Sequence, residues 1–484
     1  MSYQQLETIL HPRSVAVIGA TANMTSFGYS YAHHMVEYGF KGPIYFVNPN
    51  YPEILGVKTY PSVRDIPDQV DYAISCVSAS QVIGVLEELA EKGVKGVHLF
   101  TARFSETGRK EAAELEQSVL KLAREKGIRL IGPNCMGVYH PKAGISFGYN
   151  LPKDSGGVGM ASQSGGGASG FVHMAAMRGI RFSKVISYGN ALDFTECDYL
   201  DYFIRDAETK IIILYIEGPR EGERFFEMLR SAAKVKPVIV MKGGRGKAGS
   251  RMTTSHTASL AGSFRIWEDL LKQAGAVSAR DFEELADLAV SFTYLPALHG
   301  NRIGVIGGGG GPSVIAAEAC EEAGLDVIPI PEDMREEISR RGIPIWDWIS
   351  NPVDLSIVGG SGITDIDMLR LMGRHPDFDA LMVNMNEWVL YTLAYDERYA
   401  NLVNQVKNYI SVRDECGKPF AMVFGEQGLT ADNHGDWHWK VLAEARSHLI
   451  NAGVAIYPTL HRAATALNKV REYYSRDREG YQGT

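Results

Sequence analysis

The sequence contains few cysteines and no pattern among them. Its 484 residues include five, which lie far apart without a CxxC pair or a metal-type spacing. They are Cys76, Cys135, Cys197, Cys320 and Cys416. The spacing predicts neither a disulfide framework nor a zinc site. We therefore expect reduced, buried thiols, as in cytosolic proteins.

A surplus of positive charge is also missing. The 49 Lys and Arg residues are outnumbered by 57 Asp and Glu residues, for a net charge of −8 at pH 7. A nucleic-acid-binding protein needs excess cations to neutralise phosphates, so that class is excluded. No apolar run is long enough to cross a bilayer, and the start MSYQQLETILHPRS has no apolar core like that of a signal peptide. We expect a cytoplasmic protein without a membrane partner.

A dinucleotide-binding fingerprint is absent from the first glycine turn. The segment SVAVIGATANMTSFGYSYAHHMVEYG is typical of a strand, a turn and a helix whose first N–H groups can hold a phosphate. It contains no GxGxxG, and the second strand ends in Asn48 and Asn50, where an NAD site needs an acidic residue. An NAD-dependent oxidoreductase is therefore excluded. The turn either binds another nucleotide or is purely structural.

Strand and helix patterns alternate along the whole chain. Short apolar runs such as SVAVIGA and PIYFVN are separated by amphipathic stretches such as RKEAAELEQSVLKLAREKG, which predicts parallel sheets covered by helices on both faces. The pattern restarts at GGVGMASQSGG and again at NRIGVIGGGGG, where Gly165 aligns with Gly310. We predict three Rossmann-like or flavodoxin-like domains, the second and third being a duplicated pair. They span residues 1–148, 149–298 and 299–484.

One histidine lies in a loop of small residues. His256 is surrounded by Ser, Thr, Ala and Gly in GGRGKAGSRMTTSHTASLAGS. A neutral imidazole can attack phosphorus, and small neighbours let a bulky partner reach the ring. The helix start SQSGGGASGF offers N–H donors for a phosphate, and Glu217, after the strand IIILYIEG, can orient the second ring nitrogen. The alternatives are a bystander histidine, a solvated glutamate and a structural glycine turn.

A group of basic residues and a pair of tryptophans each allow two interpretations. Four basic residues near the histidine loop either attract phosphate or are solvated charges. They are Lys242, Arg245, Lys247 and Arg251. A P-loop is excluded there because Lys247 is followed by alanine instead of Ser or Thr. In the third domain, Trp346 and Trp348 either face an acyl pocket or pack in the core.

Motifs along nearly the whole chain resemble the nucleoside-diphosphate-forming acyl-CoA synthetases, the superfamily that includes succinyl-CoA synthetase. In chain order they are HPRSVAVIGA, GFKGPIYFVNPNYPEILGVKTYPSV, FSETG, GPNCMGV, SQSGG, SKVISYGN, LYIEG, SHTASLAGS and NPVDL. The resemblance implies a CoA-binding first domain, followed by a succinyl-CoA-synthetase-like pair. It also implies the reaction acid + CoA + ATP ⇌ acyl-CoA + ADP + phosphate, through an acyl phosphate and a phosphohistidine.

The resemblance implies specific site residues. His256 would carry the phosphoryl group, assisted by Glu217. The phosphate would be held by Ser162, Ser164, Gly165 and Gly166. CoA would lie across the carboxyl ends of the first-domain strands, against Gly19, Ala20, Thr21, Ser26, Tyr51, Ser78, Thr101, Arg103 and Asn134. Arg103 either pairs with a CoA phosphate or is a solvated surface arginine, and no metal site is expected on this chain.

No ATP-grasp module is recognised in the sequence. We expect ATP or ADP with Mg²⁺ on a partner ATP-grasp β subunit, and hence a hetero-oligomer, with a self-dimer as an alternative. The sequence leaves open which small carboxylic acid is the substrate and whether ATP or GTP is used. The alternative function is that of a non-catalytic CoA-binding or acyl-CoA-binding protein that kept the fold.

Overall fold

The structure is a computed structural model of the chain. It describes residues 2–246, 248–249, 264–385, 399–425 and 437–480. The chain forms two compact units, residues 1–285 and 286–484. The described part contains three sheets of seven, six and four strands, and helices connect most of the parallel strands. The α/β class with mainly parallel sheets is as predicted.

The first sheet surrounds a reversal of strand order. Its strands are β1 (Val15–Ile18), β2 (Ile44–Val47), β3 (Glu53–Ile54), β4 (Val57–Tyr60), β5 (Tyr72–Ser75), β6 (Gly96–Leu99) and β7 (Arg129–Ile131). Their order in space is β3-β4-β2-β1-β5-β6-β7, and only β3 and β4 pair antiparallel. The accompanying helices are α1 (Ser2–Leu10), α2 (Phe27–Tyr38), α3 (Val82–Glu91) and α4 (Lys110–Glu125). Ligands bind at such a reversal, here between β1 and β5.

The second sheet continues the same unit. Its strands are β8 (Gly137–Tyr139), β9 (Val158–Ser162), β10 (Phe182–Ser187), β11 (Ile211–Ile216), β12 (Val238–Lys242) and β13 (Val277–Ala279). Their order in space is β13-β12-β11-β9-β10-β8. The accompanying helices are α5 (Gly165–Ala176), α6 (Glu196–Arg205), α7 (Gly222–Ala233), α8 (Phe264–Ala274) and α9 (Phe282–Tyr294). The apolar strands β9, β10 and β11 are almost wholly buried, as expected of parallel strands covered on both faces.

Strand β8 lies within the residues predicted for the first domain but belongs to the second sheet. It lies before residue 148, yet it pairs antiparallel with β10 of the second sheet, with Val138 opposite Ile186. A short bridge between His140 and Ile145 extends this edge. The boundary at residue 148 stays a prediction, and the second sheet takes its edge strand from the chain before it.

The second unit contains the four-stranded sheet. Its strands β14 (Ile303–Ile306), β15 (Ala380–Met385), β16 (Phe420–Phe424) and β17 (Ala455–Tyr457) are parallel and adjacent in chain order. The helices are α10 (Gly310–Glu322), α11 (Glu332–Arg340), α12 (Leu355–Val358), α13 (Asp365–Arg374), α14 (Tyr399–Cys416), α15 (Trp437–Asn451) and α16 (Leu460–Gly480). Helix α9 crosses the boundary between the units, and Asp287, on its part within the second unit, forms an ion pair 2.6 Å long with Arg462 of α16. The Asp287 side chain is buried and that of Arg462 is partly exposed.

The NPVDLS motif stabilises the edge of β14. The Asn351 amide donates to the carbonyl oxygens of Ile303 and Ile328, both at 2.8 Å, and its oxygen accepts from the Val305 N–H. Asp354 caps α12 by accepting from the Ser356 N–H at 2.7 Å. The motif therefore has a structural role in this unit, because one side chain pairs with the backbone in place of a neighbouring strand.

Three histidines of the first unit are buried in their neutral form. His34 on α2, His98 on β6 and His140 after β8 are each at most 1% exposed. Burial lowers the pKa of each to about 4 from the ordinary value of 6.5. His98 Nε2 lies 2.9 Å from the Cys135 carbonyl oxygen, and His140 Nδ1 lies 2.9 Å from that of Leu10. These histidines resist protonation in the folded state.

We expect the free energy of unfolding to fall as the pH is lowered from about 6.5 to about 4. In this range the unfolded chain binds protons on these histidines and the folded chain does not. Lowering the pH from about 6.5 to about 4 should therefore reduce the free energy of unfolding by on the order of 3 kcal/mol per histidine. Urea unfolding near pH 7 and near pH 5 measures the difference. His140→Gln should flatten this dependence, whereas His448→Gln, at a surface histidine, should leave it unchanged. Equal pH dependence of the wild type and His140→Gln would contradict the assignment.

Candidate functional site

Residues predicted to contact CoA follow five neighbouring strands of the first sheet. Gly19 follows β1, Tyr51 follows β2, Ser78 follows β5, Thr101 follows β6 and Asn134 follows β7. These five strands are adjacent and parallel. Parallel strands end at one edge, so the structure brings these positions together along the carboxyl edge.

The turn after β1 is closely packed against the start of α2. Gly19 has a φ of +83°, a conformation that glycine adopts without strain. A Cβ at Gly28 would lie 2.1 Å from the Gly19 carbonyl oxygen, so residue 28 must also be glycine. Ser26 caps α2 by accepting from the Gly28 N–H at 3.3 Å. The turn and the helix start thus form one compact cradle.

The same turn is joined to the end of β2. The Thr21 hydroxyl donates to the Tyr51 hydroxyl at 3.3 Å. The Asn48 amide donates to the Ala20 carbonyl oxygen at 2.7 Å. Asn48, which occupies the place of an acidic ribose ligand, is therefore a structural partner of the turn. Thr21 and Tyr51 lie together as expected of residues around one ligand.

The loops after β5, β6 and β7 are joined through Thr101. Its hydroxyl donates to the Val77 carbonyl oxygen at 2.7 Å, and its carbonyl oxygen accepts from the Asn134 N–H at 2.9 Å. Thr101 is buried, so only a small part of its side chain could contact a ligand. Ser78 is exposed and its hydroxyl donates to Gln81 at 2.8 Å. The Ser78 side chain is therefore accessible from solvent, whereas that of Thr101 is not.

Arg103 lies on an exposed loop with an unusual backbone. Its φ is +77°, and its N–H donates to Glu106 Oε1 at 2.5 Å. The same carboxylate accepts from the Phe104 N–H at 3.1 Å. Glu106 therefore holds the loop in place through the backbone. The Arg103 side chain extends from the exposed surface of a loop that is itself anchored.

The predicted phosphate site lies at the carboxyl edge of the second sheet. Ser164 caps α5 by accepting from the Gly167 N–H at 3.0 Å, and its own N–H donates to the Ser162 hydroxyl at 3.2 Å. The N–H groups of Gly165 and Gly166 are in the first turn, where a helix has no acceptor of its own. They are the donors that this helix start can offer to an anion.

Gln163 joins this helix start to Glu217. Its side-chain oxygen accepts from the backbone N–H groups of Glu217 and Gly218, the latter at 3.2 Å, and its amide nitrogen donates to the Gly218 carbonyl oxygen at 3.3 Å. Gln163 and Glu217 are both buried. Because β9 and β11 are neighbours, one amide connects the loops that follow them. The structure thus brings Glu217 next to the segment of Ser162 and Ser164.

Polar neighbours surround the Glu217 carboxylate. The Tyr215 hydroxyl donates to Glu217 Oε1 at 3.5 Å, and burial together with this carboxylate raises the pKa of Tyr215 to about 12. The Lys242 ammonium donates to the carbonyl oxygens of Glu217 and Gly243 at 2.6 and 2.5 Å. Burial lowers the pKa of Lys242, and Glu217 opposes that shift. The interpretation of Lys242 as a solvated charge is wrong.

The histidine loop lies outside the described residues. His256 falls there, as do Lys247 and Arg251. Arg245 is described, and its guanidinium donates to the Arg280 carbonyl oxygen at 2.7 Å. The last described residues before this loop include Gly243, which lies close to Glu217.

The tryptophans of the second unit are both exposed. Trp346 is 38% exposed and Trp348 is 68% exposed, so the expectation that they pack in the core is wrong. The carbonyl oxygens of Trp346 and Asp347 accept from Arg335 at 3.3 Å. Their backbone is anchored while their rings face outward.

Family comparisons match most of the chain. Residues 13–141 match a family described as CoA binding domain. Residues 155–292 match the succinyl-CoA ligase like flavodoxin domain, and residues 303–461 match the ligase-CoA domain. The order of the three agrees with the sequence resemblance.

Full-length relatives identify the family. The alpha subunit of ADP-forming acetate–CoA ligase II from Pyrococcus furiosus is 38% identical over 78% of this chain and 81% of its own length. The chain belongs to the family of ADP-forming acetate–CoA ligases. The ADP-forming acetate–CoA ligase of Methanocaldococcus jannaschii is 40% identical over 72% of this chain. The chain spans about half of that relative, 49% of its length.

A solved structure extends the likeness to the whole chain. It is the acetyl-coenzyme A synthetase 1 of Candidatus Korarchaeum cryptofilum, solved in complex with phosphate and ADP. The TM-score is 0.81 at 30% identity, covering 99% of both chains. Like other members of this ligase family, the chain therefore has α/β domains in the same arrangement along the sequence.

Some site residues were missed by sequence reasoning. Gln163 lies between two predicted phosphate ligands, and a large amide among small residues was a signal that it makes buried contacts. Asn190 and Arg220 join loops that are far apart in sequence. The segments SYGN and IEGPR, which contain them, show no periodicity or charge pattern that would predict these contacts.

Three further findings concern metal ligands, membrane spans and cysteines. Within residues 2–246 and the other described ranges, no three His, Cys, Asp or Glu side chains are grouped so as to hold a metal ion. No described helix has both the length and the apolar composition that a membrane span requires. All five cysteines are free thiols.

Gly243→Ala should destabilise the edge that carries Glu217. A Cβ at Gly243 would lie 2.5 Å from the Tyr215 hydroxyl oxygen and 3.2 Å from Glu217 Cγ. Such overpacking costs about 1–3 kcal/mol, which urea unfolding can measure. Gly222→Ala is the matched control, because its Cβ would meet nothing within 4 Å. If both variants unfold at the same urea concentration as the wild type, the close packing around Glu217 is not what the geometry indicates.

Proposed function

We propose that this chain is the CoA-binding, phosphohistidine-carrying subunit of an ADP-forming acyl-CoA ligase. The overall reaction is acid + CoA + ATP ⇌ acyl-CoA + ADP + phosphate. Family membership supports the reaction class. The observation that carries the assignment is the bridge of Gln163, which holds Glu217 beside the start of α5. An orienting carboxylate and a set of anion-binding N–H groups thereby share one edge.

In this proposal, His256 accepts the phosphoryl group and Glu217 orients the ring. A carboxylate that accepts from one imidazole nitrogen leaves the other nitrogen directed at phosphorus. The N–H groups of Gly165 and Gly166 hold the phosphate oxygens at the positive end of α5, and Ser162 and Ser164 shape that turn. Small residues around His256 let it reach two different sites.

The acid is activated as an acyl phosphate. An oxygen of the substrate carboxylate attacks phosphorus, the P–N bond to His256 breaks, and the imidazole takes up a proton. The CoA sulfur, having lost its proton, then attacks the carbonyl carbon. The C–O bond to phosphate breaks and phosphate leaves. The helix start that held the phosphoryl group also stabilises the departing phosphate.

CoA lies across the carboxyl edge of the first sheet in this proposal. The cradle of Gly19, Ala20, Thr21 and Ser26 receives its phosphates, and Tyr51 closes one side. Ser78, Thr101 and Asn134 line the path of the pantetheine arm towards the second sheet, and the Arg103 guanidinium pairs with a phosphate of CoA. The contacts of Thr101 support this assignment, since they join the loops of three consecutive strands.

ATP is expected on an ATP-grasp partner that also supplies Mg²⁺. Two curated relatives are named alpha subunits, which supports a hetero-oligomer. The chain spans 49% and 57% of two curated relatives that are named as single ligases. We propose that the remaining part of such relatives corresponds to the partner of this chain. The substrate is a small carboxylic acid, and the proposed place of the complex is the cytoplasm.

Phosphate from γ-labelled ATP should appear on this chain when an ATP-grasp subunit is present. Phosphohistidine is acid-labile and base-stable, so the label should follow that pattern. His256→Ala should abolish it, and Glu217→Gln should slow it by about 10²-fold, as expected when a group that orients a catalytic base is removed.

The control for this experiment is His461→Ala. His461 is an exposed histidine, with an ion pair to Glu322 at 3.7 Å, and its loss should leave labelling unchanged. A chain that binds CoA but never receives label would support the non-catalytic alternative. Label that persists in His256→Ala would place the carrier elsewhere.

Arg103→Gly should weaken CoA binding if this arginine pairs with a CoA phosphate, as we propose. Glycine keeps the φ of +77° without strain, so the side chain is lost and the backbone conformation is kept. A charge-assisted hydrogen bond of this kind is worth about 10-fold or more in affinity. Isothermal titration with CoA measures the loss. Pantetheine, which has no phosphate, should bind equally well to both proteins, and an unchanged affinity for CoA would identify Arg103 as a solvated surface residue.

A further inference from the structure

Asn190 is buried between the two candidate ligand edges of the first unit. It lies after β10 and is 2% exposed. Its amide nitrogen donates to Glu106 Oε2 at 2.7 Å and to Glu116 Oε1 at 2.9 Å. Its amide oxygen lies 3.3 Å from the Asn134 amide nitrogen. One side chain therefore contacts three segments of the first sheet's helices and loops.

The orientation of this amide follows from its partners. Two carboxylates face the nitrogen of Asn190, and each needs a donor. The Asn134 amide nitrogen faces the oxygen of Asn190, which must accept. The flipped orientation would place a carbonyl oxygen against both carboxylates. Among neutral side chains of this length, asparagine combines the two donors with the acceptor.

Through Glu106, Asn190 acts on the loop assigned to CoA. Glu106 accepts from the N–H groups of Arg103 and Phe104, so it sets the path of that loop. The Asn190 amide holds the other oxygen of the same carboxylate. Without it, Glu106 would face Glu116 with no donor between them. The position of the loop thus depends on an amide from the second sheet.

Through its backbone, Asn190 acts on the loop that carries Glu217. The Arg220 guanidinium donates to the Asn190 carbonyl oxygen. Arg220 lies three residues after Glu217, and its N–H donates to Glu196 Oε1 at 2.8 Å. The preceding residue, Gly189, approaches the first sheet so closely that a Cβ would lie 2.2 Å from the Pro133 carbonyl oxygen. The two loops therefore meet at Asn190.

We infer that Asn190 is a positioning residue that places the CoA-lining loop relative to the Glu217 loop. The inference rests on the proposed function, since it concerns the transfer of the acyl group from phosphate to CoA. Its side chain acts on the CoA loop and its carbonyl oxygen acts on the Glu217 loop. A side-chain substitution should therefore impair the step that uses CoA and leave phosphorylation of the chain intact.

Asn190→Asp tests this with an almost unchanged shape. It replaces the donor with a third carboxylate, facing Glu106 and Glu116, while Arg220 contacts only the backbone carbonyl. With the complete ligase, the KM for CoA should rise at least about 10-fold, because misplacing a binding loop is costly. Labelling of the chain by γ-labelled ATP should be unchanged within error.

A second substitution supplies a rescue. In Asn190→Asp combined with Glu106→Gln, the new amide can donate to the introduced carboxylate and still accept from Arg103 and Phe104, and the number of carboxylates returns to two. The KM for CoA should recover towards the wild-type value. Asn190→Ser removes the amide without adding charge, and it should raise the KM in the same direction if Asn190→Asp does not fold.

Asn468→Asp is the matched control. That amide donates to Glu472 at 3.1 Å on an exposed helix surface of the second unit, and its loss should not alter the KM for CoA. A wild-type KM in Asn190→Asp, on a chain that is labelled normally, would overturn this inference alone. Equal losses in labelling and in thioester formation would also overturn it, because they indicate a general loss of structure. No label on the unsubstituted chain would overturn the proposed function together with it.

Discussion

The candidate active site depends on a hydrogen-bonded amide at the end of β9. Gln163 binds the backbone of residues 217 and 218 through both its oxygen and its nitrogen. A buried side chain with a donor and an acceptor can pair with a neighbouring peptide in this way, and neither a carboxylate nor an ammonium can. Gln163 is also flanked by Ser162 and Ser164, which shape the start of α5. The backbone at Glu217 is therefore held next to the helix start by one buried side chain, that of Gln163.

Neutral amides lie next to the acidic groups of the two candidate ligand edges in the first unit. Asn190 separates Glu106 from Glu116, and Gln163 lies beside Glu217. Like charges that share a buried space raise the free energy of the folded state, and an amide satisfies carboxylate oxygens without adding a buried counter-ion. Lys242 is buried near the same edge, and its ammonium is satisfied by carbonyl oxygens. The site thus combines a high density of polar groups with few direct ion pairs.

Topology was predictable from the sequence, and side-chain pairing was not. The alternation of apolar runs predicted parallel sheets, and the family resemblance, not the alternation, assigned Gly19 and Thr101 to one CoA site. The contact of Gln163 with residue 217 depends on the register of β9 against β11, which a pattern of hydrophobic residues does not specify. Lys242 was expected in solvent, but it is the last residue of a strand covered on both faces. The sequence left open whether Trp348 faces an acyl pocket or packs in a core, and no periodicity around it decided between the two.

Strand β8 has a consequence for the modular history of the chain. The first sheet ends at residue 131, but residues 137–139 complete the second sheet. Cleavage of the chain, or division of its gene, at the linker after β8 would therefore separate the second sheet from its edge strand. The remaining fragment would expose the hydrogen-bonding groups of β10, which is a template for aggregation. The first two sheets are consequently expected to be inherited and fused as a single block, with rearrangement at positions after it.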